Sequence, residues 1–256
     1  FAVAGKLLSP KPRTRRRQDF PVAQNLATMR RAGFPRALLG WLLVFPCVVR
    51  NFSWFGPVET RFAANGQQLR LTIDDGPDPR QTPQILDLLA RKGVRAEFYV
   101  IGKKAATHPE LCRRMRDEGH LVQNHTFSHP SVTFWSAGPR RACREIARCS
   151  AAIREATGCE PTRFRAPVGM ANPFVHLAAR ELGLKLTGWS ASGNDGLPHD
   201  PARVVRKITT ALQPGGIVLL HDSHLPGMRE GQRACTLEAL LASVRDHGFS
   251  FVLDPA

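Results

Sequence analysis

No two of the six cysteines form a C-x-x-C pair. Cys47, Cys112, Cys143, Cys149, Cys159 and Cys235 fit no zinc-ribbon or zinc-finger spacing. Buried or idle thiols are the expectation for a chain of this size, and the even count leaves the redox compartment undecided. No apolar run approaches the roughly 20 residues a bilayer span needs. The uncharged stretch at residues 37–49 stops at thirteen and contains Pro46. Low-complexity bias and internal repeats are missing as well. With 43% hydrophobic and 22% charged residues, the 256-residue chain reads as globular, with a core of its own. Acidic residues are scarce at the start: residues 1–36 hold nine Lys and Arg against Asp19 alone, over half of the net charge of +15. No aromatic or helical recognition pattern accompanies that excess. A membrane-flanking or solvated tail is expected there, and no nucleic-acid partner.

Three segments follow. Residues 1–28 lack periodicity and read as a disordered basic leader. From Met29, Arg30 and Arg31 precede the short apolar block, so 29–56 reads as a signal-like or membrane-surface segment. A signal segment, a surface anchor and a helix packed on the domain all stay open for it. Asn51-Phe52-Ser53 matches a glycosylation acceptor beside that block. A globular domain is placed at 57–256, and the pattern from Met29 favours a cell-envelope or membrane-associated location.

Within it, short β-like runs fall at 69–73, 96–101, 120–124, 163–165, 184–189, 216–221 and 249–253. Helical stretches alternate with them. Thr82-Pro83, as N-cap and first-turn proline, opens one that Gly93 closes, and Pro109 opens the next before Gly119. Others are expected at 139–157, 173–182, 201–212 and 237–247. Seven strands alternating with helices predict a parallel α/β architecture. A barrel is the sharper expectation, because the reactive residues gather at the C-terminal ends of successive runs.

The run 71–73 climbs to adjacent carboxylates, Asp74 and Asp75, and is stopped by Gly76-Pro77. At a frayed strand end both acids can reach one pocket, an arrangement that invites one to bind a cation and the other to handle a proton. His125 and His129 stand four residues apart, a spacing expected to put both imidazoles on one side of a helical turn around a cation. Asp75 would add an oxygen ligand, leaving positions for water and substrate. Arg165, at another strand end, could hold Asp74 ionised through a bidentate contact. The buried run 217–221 delivers His221 to its tip, where a general acid belongs.

Taken in order, Thr72-Ile73-Asp74-Asp75-Gly76-Pro77, His125-Thr126-Phe127-Ser128-His129, Arg165-Ala166-Pro167-Val168-Gly169, Trp189 through Asp195, and Leu219-Leu220-His221 resemble the NodB-like polysaccharide deacetylases over roughly residues 57–254. Within that family the resemblance is to a bacterial subgroup with a hydrophobic N-terminal segment. It implies a distorted (β/α)₇ barrel. It also implies roles: Asp74 as general base, His221 as general acid, and Asp75, His125 and His129 as ligands of a divalent metal. Zinc is the first choice, with cobalt or manganese as alternatives. Arg165 would tether the base and Asp195 would tune the acid. Leu219 would wall the acetyl pocket, Trp189 would bind substrate, and the main-chain N–H of Val168 would donate to the oxyanion. The implied reaction is hydrolysis of an N-acetyl group on a sugar polymer or lipid-linked glycan. Two departures stand out: Ile73 replaces a common Phe, and Gly196 follows Asp195 where a Trp is frequent. A deformylase or other amide hydrolase on the same site, and a glycan-binding homologue without turnover, are the competing readings.

Overall fold

The computed structural model describes residues 44–196 and 200–253. The expected leader at 1–28, and the apolar block up to residue 43, lie outside the described residues. Contacts gather the described residues, from Val44 onward, into one compact unit. Residues 44–56 therefore pack with the domain, and Asn51, its Nδ2 hydrogen-bonded to the Trp189 carbonyl, is part of that packing.

The chain alternates β1 (Gln68–Asp74), α1 (Thr82–Lys92), β2 (Glu97–Val100), α2 (Gly102–Thr107), α3 (Pro109–Asp117), β3 (Leu121–Asn124) and α4 (Pro139–Thr157). There follow β4 (Arg163–Phe164), α5 (Pro173–Glu181), β5 (Lys185–Leu186), β6 (Ala191–Ser192), α6 (Pro201–Thr209), β7 (Ile217–His221), α7 (Gln232–Asp246) and β8 (Ser250–Phe251). The named strands pair in parallel in the order β5-β4-β3-β2-β1-β7-β6, and β8 joins the start of β1. This is a distorted parallel β/α barrel, open between β5 and β6. Residues 59–62 lie along that opening: Glu59 bridges to Thr187 and Arg61 to Gly216.

Strand alternation sorts the side chains. Leu69, Leu71 and Ile73 of β1, Phe98 and Val100 of β2, and Val218 and Leu220 of β7 join one buried cluster with Ile85, Leu86 and Leu89 of α1 and Leu237 and Leu240 of α7. The intervening residues point into the barrel, and many are charged. Arg70 lies 3.0 Å from Glu59 and 3.1 Å from Glu97, Arg163 reaches both acids, and the Tyr99 hydroxyl donates to Glu97 at 2.9 Å. Arg70, Glu97 and Arg163 are almost completely buried. Removing one member leaves buried charge uncompensated. Glu97→Leu is therefore expected to destabilise the fold by about 3–5 kcal/mol in denaturant titration, and an unchanged midpoint would refute the network's structural role.

Several expectations shift. The run expected at 184–189 pairs as a strand only at β5; the chain then crosses the opening at Thr187-Gly188-Trp189, where Glu59 bridges to Thr187, and β6 begins beyond it, at Ala191, on the opposite edge. Thr82 is the first helical residue and Gln81 the N-cap of α1. The Thr82 hydroxyl is engaged elsewhere, donating to Asp222 at 2.5 Å. Helix α2 was not expected, and α7 begins five residues early. Helix α4 matches its expected span, bounded by Pro139 and the left-handed Gly158.

Candidate metal centre and active site

Asp74 ends β1 and is buried, while Asp75 has a left-handed backbone with φ 76°. That reversal brings consecutive carboxylates to one pocket, which plain alternation would forbid. Lys104 of α2 fixes the turn by donating to the Asp75 carbonyl at 2.6 Å. Gly76 follows for a steric reason: a Cβ there would collide with the buried Asp222 carboxylate.

His125 and His129 come from a loop after β3, not from a helical turn. Thr126 and His129 both have positive φ. The Asn124 side chain accepts from the Thr126 N–H at 2.9 Å, and the Thr126 hydroxyl accepts from the His129 N–H at 3.1 Å. Glu145 of α4 pins the loop through the Ser128 N–H and hydroxyl, at 2.9 and 3.0 Å. These contacts, not helical periodicity, bring the ring centroids to 4.8 Å.

Asp75 Oδ1 lies 3.5 Å from His125 Nε2 and 3.3 Å from His129 Nε2. One ligand atom from each of the three residues falls within 4.8 Å of the others. His125 Nδ1 is 2.9 Å from the Arg165 carbonyl, which can only accept, so Nδ1 carries the proton and Nε2 presents a lone pair. Burial, and then the neighbouring His125, hold His129 down to about 4, so this ring is neutral at pH 7. Burial opposes charge on Asp75, but the positive charge of His221, and of His125 and His129 when they are protonated, outweighs it and keeps the carboxyl well below the usual range. Asp75 Oδ1 is buried without a hydrogen-bond partner. A carboxylate oxygen left open beside two imidazoles fits a divalent cation.

Arg165 stands behind Asp74, fully buried. It donates from one guanidinium nitrogen to Asp74 Oδ1 at 2.5 Å and to the Thr72 hydroxyl at 2.9 Å, and from the other to the Gly188 carbonyl at 2.8 Å. The contact with Asp74 is single-armed, not bidentate, because the second arm is drawn to the strand-crossing segment. Tyr99 and Trp189 flank the guanidinium at 4.1 and 5.7 Å.

Across the sheet, Asp74 pairs in register with His221 of β7. Asp195 is buried beside it: one oxygen accepts from the His221 N–H at 2.8 Å and the other meets Nδ1 at 2.9 Å. Burial disfavours the imidazolium, but the charge and hydrogen bond of Asp195, aided by Asp75 and Asp74, raise His221 to about 9. Asp195 is held low in turn, against its own burial, by His221 and Arg233. Arg233 was not foreseen. Buried on the first turn of α7, it donates to the Asp195 carbonyl at 2.5 Å, to Oδ2 at 3.2 Å and to the Ser223 carbonyl at 3.0–3.1 Å. It ties together the two loops that present the acid pair.

A pocket of about 380 Å³ joins these groups, lined by Asp74, Asp75, His125, His129 and His221 with Val168, Trp189 and Leu219. Leu219 reaches it because alternation turns it inward beside His221. Val168 sits in a turn at φ 56°, a costly conformation for a β-branched residue and one often found at functional sites. Arg165 and Asp195 support the wall from behind. Arg50, Ser131, Ser192, Asn194 and Gly196 complete the lining; Ser192, Asn194 and Gly196 belong to the stretch the sequence marks at 189–196, whereas Arg50 and Ser131 were not foreseen.

Residues 63–187 match the sequence family described as Polysaccharide deacetylase. The chitooligosaccharide deacetylase of Bradyrhizobium sp. (strain ANU 289) is 41% identical over 167 residues, 65% of this chain and 74% of that protein. The peptidoglycan-N-acetylglucosamine deacetylase PgdA of Listeria monocytogenes is 33% identical over 194 residues, 76% of this chain but 39% of that longer protein. The crystal structure of the Bc1960 peptidoglycan N-acetylglucosamine deacetylase, in complex with 4-naphthalen-1-yl-N-oxidanyl-benzamide, superposes with a TM-score of 0.69 at 26% identity, covering 76% of this chain and 89% of that one. Sequence, fold and the arrangement of carboxylates and imidazoles agree: the chain belongs to the polysaccharide deacetylase family.

Proposed function

We propose that this protein hydrolyses the N-acetyl group of an N-acetylated glycan or glycolipid, giving acetate and a free amine, with zinc held by Asp75, His125 and His129. The observation that carries the reading is the pairing across β1 and β7: an acceptor, Asp74, faces a proton donor, His221, beside a three-ligand cation site. The names of the relatives, which act on chitooligosaccharides and peptidoglycan, support the substrate class. When bound, the cation would polarise the amide carbonyl and acidify a water.

The remaining steps belong to the chain. Arg165 occupies Asp74 Oδ1, so Oδ2 is the oxygen that takes the proton of the attacking water. The main-chain N–H of Val168 serves as the donor to the developing oxyanion. His221, engaged with Asp195 at Nδ1, gives its Nε2 proton to the departing nitrogen. Leu219 and Trp189 form the walls against which the acetyl methyl rests. A cell-envelope location is part of this proposal, since polymeric glycans of this kind lie there.

The test is acetate release from N-acetylchitooligosaccharides and from peptidoglycan glycan strands by the full chain, stripped of metal and then given zinc. Acetate that appears only with zinc supports the reading. Formate released from N-formyl sugars in place of acetate would move the assignment to a deformylase, and tight glycan binding without any product would move it to a binding protein. His125→Ala should lower bound zinc after dialysis by at least about tenfold, read by elemental analysis.

A further inference from the structure

The pocket contains a cation that the proposed chemistry does not use. Arg50 lines it, is exposed, and pairs with no carboxylate among the described residues. The pocket's own acids are committed elsewhere, Asp74 to Arg165 and Asp75 to the two imidazoles. The backbone beside Arg50 is fixed by the next residue. Asn51 donates its main-chain N–H to the Gly169 carbonyl at 2.8 Å and its side-chain Nδ2 to the Trp189 carbonyl at 3.0 Å. Its φ is 58°, a left-handed value that Asn adopts more readily than most residues. Its Oδ1 fills the space where a Cβ on Gly188 would stand, so the absent side chain at 188 lets the segment close on the pocket wall. Arg50 is thereby tied to the side of the pocket built by Val168 and Trp189. A guanidinium on that segment, without a carboxylate partner among the described residues, has its planar fork available to a sugar lying against that wall.

We propose that Arg50 is a specificity-determining residue that recognises an anionic substituent, a carboxylate or a phosphate, on or next to the N-acetylated sugar. The inference rests on the glycan-deacetylase reading and narrows its substrate to charged glycans. It also gives Arg50 a place in the substrate pocket.

The test is titration calorimetry on the zinc-loaded full chain, which needs no turnover. Three probes are compared: N-acetylchitotetraose, which is neutral; a hyaluronan tetrasaccharide, which carries carboxylates; and UDP-N-acetylglucosamine, which carries phosphates. The wild type is expected to bind at least one anionic probe more tightly than the neutral one, with a preference that shrinks as salt is raised. Arg50→Gln should lower the anionic-to-neutral affinity ratio roughly 5- to 10-fold, Arg50→Lys should keep part of it, and Arg50→Glu should invert it. Which anionic probe responds identifies the source of the charge. An equal ratio in wild type and Arg50→Gln overturns the inference, and so does failure of every probe to bind. Binding with the expected ratio but without acetate release would count against the deacetylase reading alone.

Discussion

Asp74→Asn is expected to lower kcat/KM for acetate release by ~10²–10⁴, the usual weight of a general base, while zinc content stays at the wild-type level. The substitution keeps the shape of the side chain and removes the oxygen that can accept a proton. Asp74 is outside the three-ligand set, so the cation site keeps its carboxylate and both imidazoles. A second effect runs alongside. Arg165 is fully buried, and Asp74 is the acid it pairs with. Its other contacts, to the Thr72 hydroxyl and the Gly188 carbonyl, are neutral and keep it hydrogen-bonded. Some loss of stability is therefore expected, below the roughly 3–5 kcal/mol typical of breaking a buried pair outright. Kinetics, elemental analysis and a thermal melt on one preparation separate the effects. Activity within a factor of a few of wild type would end the assignment of Asp74 as base. Loss of zinc together with activity would mean that Asp74 is a ligand.

How much of this was legible beforehand depends on whether the cause is local. Asp74-Asp75-Gly76-Pro77 announces itself because a strand, two acids and a turn are consecutive. Helix α4 was readable to the residue because Pro139 and Gly158 are short-range signals. The four-residue spacing of His125 and His129 pointed to a shared cation, but the means is a loop folded by Asn124, Thr126 and Glu145. Spacing alone reads as a helical turn in such a case. Arg233 gave no signal. The α7 start has no side-chain cap and no first-turn acid, so the residue fell in what read as a loop. Arg50 and Asn51 are distant in sequence from Val168 and Trp189, and only the tertiary fold brings them to the pocket. The charged barrel interior was hidden for a different reason. Alternating Arg70, Thr72 and Asp74 against Leu69, Leu71 and Ile73 looks like a strand with one face in water. Closing the barrel buries that face and leaves Glu59, Glu97, Arg70 and Arg163 to neutralise one another.

Asp195→Asn should move the alkaline limb of the pH–rate profile down by about 2 units, from near 9 toward the ordinary 6.5 of an imidazole. In the wild type, burial pushes His221 toward the neutral form and Asp195 more than reverses it, so the acid is charged across the neutral range. Asparagine keeps an oxygen for the His221 main-chain N–H but removes the negative charge that holds the imidazolium. At pH 7 to 8 most of the variant's His221 would be deprotonated and unable to serve the leaving nitrogen, whereas at pH 5.5 much of the activity should return. The stability linkage runs in the same direction. His221 has a folded pKa above its unfolded value, so its stabilisation is complete below about 6.5 and is lost as pH rises through about 9. The variant should lose that dependence and melt alike at pH 7 and pH 9. Arg233→Met makes the complementary case, since it removes a cation that competes with His221 for Asp195. Its limb should stay at or above 9 while kcat falls, because the two loops are no longer tied together. If the limb is unmoved in Asp195→Asn, the group titrating there is not His221, and the role of proton donor would have to pass to another residue.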